Sequence, residues 1–296
     1  VPTRTRLLVA YLATPGGADA LSLGIDLARA LHGELDIAMV LPPMGPIEQV
    51  AAPGNADYTR FVDDRAAAWL AEATATIPDD IVAEARIALY DNVAEGLITE
   101  AQQTECAAIV VGGSGGGIVG RHSLGSVVND LLHSSPLPVV LTPRGAASNA
   151  PHTLRRITCA IGRRPGSTAL FTAGLDLCER TGLPLRLVSL VTGDDDALPW
   201  RRDDTDPAVR AAAGELLDGL VDDAHTRLGA DHQIASAVVA AKTTETAVIF
   251  LDWDDGDIVL VGSSRLAQPL RLFLGTTAAK MLRALSVPMI VVPTST

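Results

Sequence analysis

Between Val111 and Ser126 the chain reads VGGSGGGIVGRHSLGS, an apolar run that passes into glycines and then into a helix start. Residues of this kind can hold a phosphate. Glycine lets backbone approach a ligand with no Cβ in the way, and the first turn of a helix offers N–H groups to an anion. The spacing is Gly112, two residues, Gly115, nine residues, then Gly125 and Ser126. A tight corner needs fewer glycines than Gly112, Gly113, Gly115, Gly116, Gly117 and Gly120 supply, so the excess points to ligand contact. Arg121 and His122 sit on the same stretch and could add positive charge there or simply face solvent. Two better-known phosphate motifs do not fit. Gly115-x-Gly117-x-x-Gly120 mimics a dinucleotide fingerprint, but it follows the fourth strand of its unit rather than the first, and no Gly-Lys-Ser or Gly-Lys-Thr makes a Walker loop.

The elements that must position this loop occur twice, at a constant offset of 150 residues. Gly112 corresponds to Gly262, Gly125 with Ser126 to Gly275 with Thr276, and Pro138 to Pro288. In each unit short Val, Ile and Leu runs alternate with longer helical stretches, the pattern of a parallel sheet covered on both faces. Strands are expected near Arg6 to Leu12, Glu34 to Leu41, Ile81 to Leu89, Ala107 to Val111 and Pro138 to Leu141. Their repeats fall near Arg156 to Ile161, Leu185 to Val191, Ile234 to Ala240, Ile258 to Val261 and Pro288 to Val292. Helices should fill the gaps, the first with Leu21, Ile25, Ala28 and Leu31 on one side and Asp19, Asp26 and Arg29 elsewhere. The expected fold is α/β: two tandem doubly wound five-stranded parallel-sheet domains, residues 1–145 and 154–296, joined by a linker at 146–153 within the small, polar, proline-bounded segment from Pro143 to Thr153.

The Gly-x2-Gly-x9-Gly-Ser spacing, on this strand and leading into this helix, resembles the universal stress protein family, and the resemblance covers nearly the whole chain. It implies an adenine nucleotide alpha-hydrolase-like fold and binding of ATP, with Mg²⁺ as an option. By resemblance, Gly112 and Gly115 would line the ribose and first phosphate, and Gly125 and Ser126 would take the outer phosphates. The family's apolar contact beside adenine falls on Val40, for which a core position is an equally natural reading. The final strands resemble edge strands that pair between domains, which implies an intrachain pseudo-dimer and leaves a homodimer of whole chains open.

The second unit keeps the loop length but not its composition: Gly262 and Gly275 with Thr276 are present, yet the second glycine is Arg265. A side chain there either blocks the site or replaces the lost N–H contacts as a bidentate phosphate ligand, and blockage is the reading preferred. Both units also lack the family's aspartate after the first strand, since Leu12 and Gly162 stand in its place. The site is therefore expected mainly in the first unit.

Charge narrows the partners. The net charge is −12, of which −9 falls on the first 150 residues, so neither a nucleic-acid backbone nor an anionic membrane is expected as a partner. Without a long apolar run or a secretory pattern, the protein is expected in the cytoplasm. Cys106, Cys159 and Cys178 form no CxxC pair and read as small buried apolar residues. The acidic run from Asp252 to Asp257 fails the calcium-loop register and reads as a turn. No HExxH, no serine elbow and no base beside the glycine loop is visible, so the expectation is a nucleotide-binding sensor of stress with at most slow ATP hydrolysis. The alternative is a degenerate member of the same fold that binds no nucleotide and acts as an interaction module.

Overall fold

This computed structural model describes residues 5–43, 55–113, 121–122, 124–148, 153–162, 167–193, 207–263 and 272–293. In unit 1 the order is β1 (Arg6–Ala10), α1 (Pro15–Leu31), β2 (Glu34–Leu41), α2 (Asn55–Thr74), β3 (Ala83–Leu89), α3 (Val93–Gln103), β4 (Ala108–Gly112), α4 (Ser126–Ser134) and β5 (Val139–Thr142). Unit 2 repeats it with β6 (Arg156–Ala160), α5 (Ser167–Thr181), β7 (Leu185–Thr192), α6 (Pro207–Leu228), β8 (Ile234–Ala241), α7 (Thr244–Ile249), β9 (Asp257–Gly262), α8 (Thr276–Ala284) and β10 (Met289–Val292). The expected strands therefore all form, with ends that shift for local reasons. β1 stops at Ala10 because the chain turns at Leu12, whose carbonyl accepts from Thr14 N–H, and Thr14 then caps α1.

All ten strands lie in one sheet, ordered β3-β2-β1-β4-β5-β10-β9-β6-β7-β8. Within each unit neighbours run parallel; between the units β5 and β10 pair antiparallel, with Val140 opposite Ile290. Both strands are fully buried, as an apolar edge without charges requires. The core crosses the seam. One apolar layer joins α1 and α2 of unit 1, through Leu21, Leu27 and Leu70, with α5 and α6 of unit 2, through Leu170, Leu175 and Leu217. The other joins α3 and α4 with α7 and α8, through Leu97, Leu131, Val248 and Met281. Three layers thus run continuously through both repeats.

Two aspartates of α1 depart from the expectation that acids lie away from the buried side. Asp19 and Asp26 are both buried. Asp19 accepts from the backbone N–H groups of Gly145 and Ala147, each at 2.9 Å, and so binds the 3₁₀ turn at Ala146–Ser148 against α1. A buried carboxylate is tolerable when backbone donors satisfy it, and these two fix the start of the connection between units. The three cysteines are buried and unpaired. Desolvation pushes Cys178 up to about 12 and raises Cys106 and Cys159, which leaves the thiols protonated at neutral pH.

Candidate functional site

In an open parallel sheet the ligand crevice lies at the C-terminal ends of the strands where the winding reverses. Here that point lies between β1 and β4 in unit 1 and between β6 and β9 in unit 2. On the α1 side of the unit 1 crevice the backbones meet closely. A Cβ on Gly112 would stand 1.8 Å from the Gly16 carbonyl oxygen, and one on Gly16 would stand 2.1 Å from that of Gly113. Gly112 thus has a packing reason to be glycine, independent of any ligand: it lets the first turn of α1 close onto the end of β4. Gly112→Ala is expected to force these backbones apart and to cost about 1–3 kcal/mol, as overpacking of a fitted contact does. A urea unfolding curve superimposable on the parent's would show that the close approach is dispensable.

The helix starts differ in how their N–H groups are satisfied. Thr14, Asn92 and Thr243 cap α1, α3 and α7 through side-chain oxygens. Gly125 and Gly275, at the N-caps of α4 and α8, have no side chain with which to do so, and neither helix carries an acid in its first turn. Ser126 and Thr276 are the first residues of those helices. Two uncapped, acid-free helix starts therefore follow β4 and β9, the strands that border the two switch points, with the dipole and N–H groups suited to an anion. Gly115 and Arg265 lie outside the described residues.

The remaining expected residues differ in their surroundings. Val40 is buried in the core against Gly96 of α3, where a Cβ would meet its Cγ1 at 2.8 Å. Leu12, at the position of the missing acid, is 48% exposed and apolar. Arg121 and His122 reach away from their own unit. The Arg121 guanidinium donates to the Ala284 carbonyl at the end of α8, and His122 Nε2 lies 2.9 Å from the Val287 carbonyl.

One difference between the units was not anticipated. Where unit 1 has Gly113, unit 2 has Ser263, a buried side chain whose Oγ accepts from Phe273 N–H at 2.7 Å and lies 3.3 Å from its carbonyl. Ser263 pins the two ends of the second loop together, a link that Gly113 cannot make. The signal was available as a Gly-to-Ser difference between aligned repeats, but a serine in a loop does not announce its partner.

Burial pushes His122 down to about 4; its bond to Val287 opposes the shift and the charge of Arg121 adds to it. In the unfolded chain it titrates near its ordinary 6.5, so on acidification the unfolded state takes up the proton first. His122 contributes fully above about 6.5 and that contribution is lost as pH falls toward 4, a cost of roughly 1–3 kcal/mol. Urea unfolding between pH 7.5 and 4.5 should show His122→Leu losing less stability than the parent; parallel curves would place the acid sensitivity elsewhere.

Among the described residues no group of three or more His, Cys, Asp or Glu is placed to hold a metal, and no helix is long and apolar enough to cross a membrane. The acidic turn of unit 2 is engaged by arginine instead: Arg156 meets Asp254 and Asp257.

Comparison with known proteins identifies the family. The sequence model of the universal stress protein family matches twice, at residues 3–143 and 153–293. The chain is 28% identical over 297 aligned positions to universal stress proteins of Mycobacterium bovis and Mycobacterium tuberculosis, covering 97% of this chain and 99% of theirs. Among solved structures it is similar to a universal stress protein from Archaeoglobus fulgidus, with a TM-score of 0.65 at 14% identity, covering 97% of this chain and 98% of that one. A second, from Pseudomonas aeruginosa, gives 0.60 at 15% identity, covering 98% and 94%.

Proposed function

The chain belongs to the universal stress protein family, and from that premise we propose that it binds an adenine nucleotide, ATP in the first instance, in unit 1 and serves as a stress-response sensor rather than a catalyst. The observation that carries the reading is the start of α4: Gly125 and Ser126 present an uncapped, acid-free helix terminus after β4, which borders the switch point, at the family's spacing from Gly112 and Gly115. The residues present fit a polyphosphate. They offer less to a metal, because Leu12 replaces the carboxylate, so Mg²⁺ would be held through the phosphates themselves. Arg121 is committed to Ala284 and is not counted among the phosphate ligands.

A second reading, a module that binds no nucleotide, is favoured for unit 2 by the Ser263–Phe273 link and by Arg265 in place of glycine. We take unit 2 as a partner that completes the sheet through β5 and β10, the chain acting as a pseudo-dimer, with 146–153 as linker and the cytoplasm as its compartment. Further pairing of whole chains as a homodimer belongs to the same reading.

The test is mass spectrometry of small molecules released on denaturation, with calorimetric titration of ATP and Mg²⁺ into emptied protein and into Gly115→Arg. One adenine nucleotide per chain, lost in the variant, supports the reading. Absence of both co-released nucleotide and titration heat would overturn it and leave the interaction module.

A further inference from the structure

Each unit's loop ends on the other unit. In unit 1, Arg121 donates to the Ala284 carbonyl, the last residue of α8, and His122 Nε2 meets the Val287 carbonyl just before β10. The reciprocal contacts use backbone. Leu272 N–H donates to the Ser135 carbonyl at 2.8 Å and Leu274 N–H to the Leu132 carbonyl at 3.2 Å, at the end of α4. The Phe273 ring meets His133 of α4 edge-on, with centroids 5.0 Å apart. The repeat offset of 150 places Arg121 and His122 opposite Arg271 and Leu272, so the same seam is built twice, with side-chain hydrogen bonds in one direction and main-chain hydrogen bonds in the other.

We propose that Arg121 and His122 are positioning residues through which unit 2 holds the phosphate-facing start of α4, coupling the unit 1 site to the end of α8. The proposal rests on unit 1 being the nucleotide site, and it adds that the site is incomplete without unit 2. The tether is short. From His122 to Gly125 the chain spans at most about 11 Å, so the anchored carbonyls of unit 2 limit where the helix start can stand. A guanidinium at Ala284 is also well placed energetically: the last carbonyls of a helix lack intrahelical partners and carry its negative end. The charge that sequence inspection offers to phosphate is thereby used at the C-terminus of α8. A nucleotide drawing on the N–H groups of α4 tightens the loop end, and the strain passes to residues 281–287.

Hydrogen exchange on the full chain tests this, using Arg121→Ala, His122→Leu and Arg121→Lys, the last of which keeps a donor. Without ligand, Arg121→Ala should speed exchange in peptides spanning 281–287 and 126–129 by roughly three- to tenfold, the loss of one hydrogen bond, while Arg121→Lys stays near the parent. Unchanged exchange in both peptides of Arg121→Ala overturns the proposal whether or not the chain binds nucleotide. With ATP and Mg²⁺ added, the parent should show slower exchange at 281–287 and Arg121→Ala should not, with its affinity about tenfold weaker. An Arg121→Ala variant that loses ATP affinity while ATP leaves 281–287 unmoved in the parent would make Arg121 a phosphate ligand and also overturn it. If the parent itself binds no ATP, the nucleotide reading fails, and the ligand-free arm still decides whether unit 2 holds the α4 start.

Discussion

Gly125→Asp is expected to abolish nucleotide binding while leaving the fold as stable as the parent or slightly more so. Gly125 occupies the N-cap of α4 with φ −86° and ψ 176°, extended backbone that any residue adopts. Aspartate is among the best N-caps; its carboxylate accepts from the N–H groups that glycine leaves without a side-chain partner, a gain of a few tenths of a kcal/mol over glycine. Those N–H groups are the ones proposed to take phosphate. A carboxylate about 4 Å from a phosphate charge is repelled by roughly 4 kcal/mol at an effective dielectric constant near 20, close to a thousandfold in affinity. Stability and binding should therefore move in opposite directions, which a merely damaged protein does not do. Calorimetric titration with ATP alongside a thermal melt reads both. Gly275→Asp, at the equivalent cap of α8 with φ −69° and ψ 165°, should show the same small stabilisation and no loss of binding. Nucleotide affinity retained in Gly125→Asp would move the phosphates away from α4.

The strands were legible because period, β-branching and the fixed offset between repeats all point the same way, and the repeat doubles every signal. The glycine loop was legible as a spacing but not as a set of contacts. Gly112 is the clearest case: its composition reads as ligand approach, whereas the structure shows a backbone packed against Gly16, and either requirement alone selects glycine. Arg121 and His122 were legible as charge near a loop, but their partners stand 163 and 165 residues away, across a seam that no local pattern reveals. Asp19 was hidden for the opposite reason. Its carboxylate is satisfied by backbone N–H groups, which leave no trace in residue type. Ionisable residues in a helix are assigned to solvent by default, and only a partner search in space corrects that.

The acidic turn of unit 2 gives the other large effect: Asp257→Ala is expected to cost about 3–5 kcal/mol, the price of leaving a buried charge without its counter-ion. Asp257 is fully buried at the start of β9 and meets Arg156 through two bonds, at 2.9 and 2.6 Å, with Arg186 Nη2 at 3.5 Å. Arg156 is partly exposed and retains Asp254 when Asp257 is removed. Arg186 has no such retreat. It lies buried over the Trp253 ring at 4.7 Å, donates to Thr158 Oγ1 and the Asp252 carbonyl, and desolvation already lowers its pKa from the ordinary value. Unit 1 supplies a comparison, because the position equivalent to Arg186 is Asp36, buried and paired with Arg86. The sign at this one position is thus reversed between units, with different partners: Asp36 meets Arg86 of β3, whereas Arg186 meets Asp257 of β9, where unit 1 has Ala107. Arg86 is partly exposed and also meets Glu84 and Glu100, so Asp36→Ala should cost only about 1–2 kcal/mol, near the worth of one charged hydrogen bond. Adding Arg186→Met to Asp257→Ala should recover much of the loss, since a buried pair replaced by apolar groups is often neutral. Urea unfolding of the two single variants and the double variant checks the order. Equal costs for Asp36→Ala and Asp257→Ala would mean that exposure of the partner arginine does not set the penalty.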